Sequence, residues 1–248
     1  MKPRIFIDSG GWYLAYYLGM WEYILEHFGK EAFRGVYFDG TSAGGLVASC
    51  IVACVYGNQT MKYWLDNGPK QCVQTDMYRN GQFAKGMYNA GYFFYNCLSK
   101  QQRLALYKYL RFFCLDTNLN EYCCDKISNA NEHANACAAS GNIPFICSDK
   151  PVPFRDKYLW DASLTKSYYS LVTKKSLCIS FHPGPDCHTT LDLSKWIYSS
   201  TLLSLIPCFL PQQTTLSVCD ALFEFGYHDA KAHSKELLTK FRSIGIKL

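Results

Sequence analysis

The sequence predicts an α/β fold built on a mostly parallel central sheet with helices on both faces, and three observations lead there. Short apolar runs of strand length alternate with longer runs of helical length, the pattern of successive βαβ units. Two strand runs end in glycine-bearing turns that open directly into apolar helices, at Asp8-Ser9-Gly10-Gly11 and at Gly40-Thr41-Ser42-Ala43-Gly44. The chain of 248 residues is 49% hydrophobic and 18% charged, and no Pro/Ser-rich linker, low-complexity tract or internal repeat divides it. One domain spanning residues 1–248, with a sizeable core, is expected.

Arg4-Ile5-Phe6-Ile7 reads as a buried strand, and residues 12–28 as the helix beyond its turn. A second strand over 34–39 runs into Ser42, after which 43–56 is an apolar helix. Helices follow near 60–66, 100–113 and 130–140. The run Tyr158-Leu159-Trp160 closes on a loop at Asp161. Ser176 to Phe181 reads as a core strand, and helices around 192–205 and 216–243 end the chain.

The strand, turn and helix around Gly40-Thr41-Ser42-Ala43-Gly44 make this GxSxG a nucleophile elbow. The turn is so tight that only small residues fit two positions either side of the serine, and Ser42 Oγ stands exposed at its tip. Gly10 and Gly11 occupy the other strand-to-helix junction. Backbone N–H groups there, backed by a helix dipole, can hold the negative oxygen that develops when a serine attacks an ester carbonyl. The plainer reading of the pair is a tight turn. Asp161, closing an apolar run and followed by small residues, can accept the serine proton. His182 offers a third group, since it completes the Ser, Asp, His order of the α/β-hydrolases.

The ordered set resembles the patatin-like phospholipases: a Gly-rich strand-helix loop, then GxSxG, then a late Asp-Gly-Gly/Ala motif. Ala15-Tyr16-Tyr17-Leu18-Gly19-Met20 and Gly40-Thr41-Ser42-Ala43-Gly44 are most similar to the adiponutrin-type branch. Ala138-Ala139-Ser140-Gly141-Asn142-Ile143-Pro144-Phe145 and Gly226-Tyr227-His228-Asp229-Ala230 agree, so the resemblance spans about residues 4–232. It implies a three-layer α/β/α sandwich and a Ser42–Asp161 dyad in place of a triad. The 41 residues before Ser42 suit it, having room for only about two strands and one long helix, fewer than an α/β-hydrolase places before its elbow. It also implies an oxyanion hole from Gly10 and Gly11, and lipid acyl hydrolase activity of the phospholipase A, lysophospholipase or acylglycerol lipase type. Three positions depart from the pattern: Ser9 and Leu14 replace glycines of the loop, and Ala162 replaces the glycine after Asp161. Those departures favour the alternative of a catalytically weak lipid-binding or lipid-surface protein; an acyl-CoA-independent transacylase is the other alternative. A carboxylate is a weak base at neutral pH, so the dyad also requires that Asp161 be partly buried.

No cofactor is expected. The cluster Cys178, His182, Cys187 and His188 has soft ligands but matches no zinc module, so no metal is expected either. Thirteen cysteines without a recognisable signal-peptide core suggest reduced thiols and a cytoplasmic setting. The expected partner is a phospholipid or acylglycerol, met at a peripheral membrane or lipid-droplet surface. Two apolar stretches could serve it. Met87 to Tyr95 is dense in aromatics, with core packing the simpler reading, and Trp196 to Leu210 is interrupted by Pro207. The net charge is +5, and Lys231, Lys235, Lys240, Arg242 and Lys247 gather around Leu237, Leu238 and Phe241. They form either a solvated helix face or a face for anionic lipid. Nucleic acid is not expected, because no Lys/Arg-dense groove or binding motif is present.

Overall fold

The computed structural model describes residues 2–74, 83–144, 147–165, 176–181, 189–197 and 215–248. In chain order the elements are β1 (Arg4–Ile7), α1 (Leu14–Phe28), β2 (Tyr37–Thr41), α2 (Ala43–Val55), α3 (Met61–Asn67) and α4 (Pro69–Gln74). Then come α5 (Phe83–Cys97), α6 (Lys100–Tyr109), β3 (Leu110–Asp116), β4 (Glu121–Cys124), α7 (Ala130–Ser140), β5 (Val152–Phe154) and β6 (Lys157–Asp161). The last are β7 (Ser176–Ser180), β8 (Thr189–Asp192), α8 (Ser194–Ile197), α9 (Leu216–Ala232) and α10 (Ser234–Ser243).

The strands form one eight-stranded open sheet in the order β5-β6-β3-β2-β1-β7-β8, with β4 also on β3. The fold is therefore α/β, but its sheet is mixed. The pairs from β3 through β2 and β1 to β7 and β8 are parallel, as crossover connections demand. The pairs β3–β4, β3–β6 and β5–β6 are antiparallel. Two short turns account for the β3–β4 and β5–β6 pairs. Asp116 accepts the N–H groups of Asn118 and Asn120 to close the first, and Arg155 at φ 53° turns the second. A turn of that length can only return the chain antiparallel.

Helices α1, α2 and α7 pack on the sheet face that carries Ile5, Ile7, Phe38 and Phe112, and they enclose the larger core. The opposite face carries a smaller buried cluster of Phe6, Phe113, Leu115, Ala162 and Cys178. Gly19 and Gly226 let α1 and α9 touch backbone to backbone, because a Cβ at either would overlap the other helix's main chain.

Register across the three central strands is pinned by a buried carboxylate. Phe6 of β1 opposes Asp39 of β2, which opposes Arg111 of β3. The Asp39 carboxylate is 1% exposed and accepts from Arg4 at 2.7 and 2.9 Å and from Arg111 at 2.8 Å on each oxygen. Asp39→Ala leaves two guanidinium groups facing each other. We expect it to lower unfolding free energy by roughly 3 kcal/mol, the low end for a broken buried pair because both arginines reach solvent. Urea titration of the variant measures this.

Candidate active site

The elbow forms as the sequence suggests, with the strand shifted. Gly35 turns the chain at φ 81°, so β2 starts at Tyr37 and runs on to Thr41, directly against Ser42. Ser42 holds φ 52° and ψ −132°, a conformation costly for any side chain, and α2 begins at the next residue. Gly44 is obligatory for this turn, since a Cβ there would overlap the carbonyl oxygens of Ile7 and Asp8 at the end of β1. Ser140, at the end of α7, donates its hydroxyl to the Ser42 carbonyl at 3.0 Å. That bond braces the strained residue from the opposite side.

The sheet itself brings Asp161 to the elbow. Along β3, Phe113 opposes Thr41, and the next residue, Cys114, opposes Asp161. Ser42 and Asp161 thus adjoin successive rungs of one strand, one from a parallel neighbour and one from an antiparallel neighbour. Asp161 is fully buried. Its Oδ1 accepts from the Ser163 N–H at 2.8 Å, its own N–H donates to the Asn142 carbonyl at 3.1 Å, and Oδ2 is buried with no hydrogen bond of regular geometry. Burial pushes the carboxyl up to about 6, against the opposing pull of the Ser163 N–H and the nearby Ser42 hydroxyl; the Asp8 charge adds to the rise. Such a group is a far better base than a free aspartate, because its proton affinity lies close to neutral pH. Ala162, in the position where glycine was expected, is buried in the small cluster beneath the site and begins a short 3₁₀ turn.

Asp8 is a residue whose part in the site was not read from sequence. It is 1% exposed, accepts the Ser9 N–H at 2.6 Å and the Ser180 hydroxyl at 2.5 Å, and so ties the glycine loop to β7. In that loop the two glycines differ. Gly11 is exposed at φ 51° and lines a cavity together with Ser42 and Ala43. Gly10 is buried and absent from that lining, and a Cβ there would meet the Tyr17 ring at 2.8 Å.

The cavity measures about 160 Å³ and is walled mainly by apolar groups. From the elbow it passes Leu14, Leu18 and Leu46, and it reaches Trp64, Met87 and Phe94 on α3 and α5. The aromatic stretch Met87 to Tyr95 is therefore more than packing: Met87, Ala90, Gly91, Phe93 and Phe94 face the space that Ser42 opens into. Phe93 is 48% exposed and Tyr92 43%, so this helix also presents aromatic surface to solvent. Leu14, which stands where a loop glycine was expected, supplies wall.

Other expected features fall elsewhere. Of the apolar stretch 196–210, Trp196 is buried and donates to Glu236 at 3.1 Å, while Leu203, Ile206, Pro207 and Phe209 lie outside the described residues. His182, Cys187 and His188 lie outside them too. No group of three or more His, Cys, Asp or Glu able to hold a metal occurs among the described residues. No disulfide joins two cysteines among the described residues. Near the end of the chain, Leu237 and Phe241 are core residues; the Phe241 ring meets Phe28 and Phe33 edge to face and Trp21 at a tilt. Of the basic residues of α10, Lys235 and Arg242 are exposed and Lys240 is half-buried. Among the described residues no helix is long and apolar enough to cross a membrane.

No protein-family model and no curated protein sequence matches the chain.

Proposed function

We propose that the chain is a serine carboxylic-ester hydrolase acting on lipid acyl esters, with a patatin-like three-layer architecture. The observation that carries this reading is a strained serine, Ser42, opening into an apolar cavity, beside a buried aspartate, Asp161, held near a proton affinity of about 6. Ser42 Oγ attacks the ester carbonyl and its proton passes to Asp161. The Gly11 N–H, with Gly10 shaping the loop behind it, holds the oxyanion. As the C–O bond to the alcohol breaks, Asp161 returns the proton to the leaving oxygen. Water then attacks the acyl-enzyme and gives its proton to Asp161; as the acyl–Oγ bond breaks, Asp161 returns that proton to Ser42 Oγ and the free acid leaves. An acceptor alcohol in place of water would make the same centre a transacylase. The cavity wall suits an acyl chain, and the exposed aromatics Tyr92 and Phe93 suit a peripheral contact with a membrane or lipid droplet from a cytoplasmic setting.

The alternative of a weakly catalytic lipid-binding protein draws on Ser9 and on Leu14, which narrows the space beside Ser42. Labelling with a fluorophosphonate probe separates the two. The hydrolase reading predicts stoichiometric label on Ser42 and turnover of a soluble butyrate ester that rises with pH through about 6, as Asp161 ionises. Binding of long-chain lipid without label or turnover would establish the other reading.

A further inference from the structure

The apolar cavity contains a deeply buried polar pair away from the reacting centre. Ser49 and His133 both line it, and both are buried, at 2% and 1% exposure. Ser49 lies seven residues beyond Ser42 on α2, a distance of about 10 Å along the helix axis. His133, on α7, stacks on Phe94 with ring centroids 5.1 Å apart. Its Nδ1 is 3.0 Å from the Gly91 carbonyl, which can only accept, so the ring proton sits on Nδ1 and Nε2 is an acceptor. Burial holds the imidazole down at about 4, hence neutral in use.

The proton count around Nε2 falls short. The Ser49 hydroxyl has a single proton and two acceptors in reach, the Gly45 carbonyl at 3.1 Å and His133 Nε2 at 3.2 Å. The Cys137 thiol lies 3.6 and 3.8 Å from the two ring nitrogens and is a weak donor. A second hydroxyl arriving from the cavity would complete the set by donating to Nε2 while Ser49 keeps Gly45. An unsubstituted methylene chain offers nothing to this spot.

We infer that Ser49 and His133 form a specificity site for acyl chains bearing a hydroxyl near mid-chain, roughly eight carbons from the carboxyl carbon as set by the ~10 Å of α2 between Ser42 and Ser49. This rests on the reading of the cavity as an acyl site. Binding, rather than turnover, tests it. The Ser42→Ala protein is titrated calorimetrically with octadecanoate and with its mid-chain and terminal hydroxy isomers. The mid-chain isomer should bind about tenfold more tightly than the terminal one, the scale of one added hydrogen bond. Adding Ser49→Ala should erase that preference and leave octadecanoate affinity unchanged. Equal binding of the two isomers overturns the inference, as does a preference that survives Ser49→Ala or the absence of binding by all three acids. Failure of the hydrolase reading has a different signature: no fluorophosphonate label, with the isomer preference intact.

Discussion

Asp161→Asn is expected to lose activity by a factor of about 10² to 10⁴, the usual range for a positioned proton acceptor, and to gain stability at the same time. Both effects have one origin. The folded protein holds the Asp161 carboxyl at about 6, raised from its ordinary 3.8, because burial penalises the charge. A carboxyl raised on folding favours the folded state fully below about pH 3.8, where it is protonated in both states. That contribution fades as pH rises through about 6, and above it the buried charge costs roughly 3 kcal/mol relative to the neutral acid. Asparagine is neutral at every pH, and its carbonyl can keep the bond from the Ser163 N–H. The variant should therefore unfold at higher urea than the parent at pH 8 and at about the same urea at pH 4. Lower stability at pH 8 would mean that the carboxylate is not under strain there, and the account of how it becomes a base would fail with it.

Ser42→Ala should abolish probe labelling and ester hydrolysis with the fold intact, since one oxygen is removed at a turn that the backbone defines. Ser42→Gly separates chemistry from strain. Ordinarily glycine destabilises, because it frees the unfolded chain. At φ 52° and ψ −132°, however, serine and alanine carry a penalty of order 1–3 kcal/mol that glycine does not. Ser42→Gly should melt higher than Ser42→Ala, with both inactive. The reverse order would show that the elbow is not a strained element. Hydrolysis by Ser42→Ala at the parental rate would remove the nucleophile assignment altogether.

The parts most legible in the sequence are those in which local chemistry and fold agree. Arg4–Ile7 and the 43–55 helix declare themselves by uninterrupted apolar residues, and the small residues around Ser42 announce the elbow. Misreadings cluster where no punctuation marks a change of structure. The 100–113 helix ends at Tyr109, and Leu110–Asp116 is the strand that joins the two halves of the site, yet no glycine or proline divides them. The helix expected over 216–243 breaks at His233 without either residue, and α5 was hidden by Gly86 and Gly91, which weaken a helical pattern. Asp161 was found as the end of a loop, whereas it ends β6. Ser140 and Asn142 stood in a stretch noted only for its resemblance. Their bonds to the Ser42 and Asp161 backbones depend on partners far away in sequence, so no local signal could have revealed them. His133 was invisible for the same reason.

The division of labour in the chain has a practical consequence. Ser42 and Asp161 sit at strand ends, Ser42 also opening α2, whereas much of the cavity wall comes from residues 61–74 and 83–97, an excursion of the sequence between α2 and the α6–β3 unit. The reacting pair and the bulk of the wall are thus written in largely separate passages of sequence, while Ser49 and His133 stand outside the excursion. On the hydrolase reading proposed above, replacing that excursion with one of different bulk should yield variants that cut the same bond in differently shaped molecules, a plug-in arrangement suited to diversification by grafting.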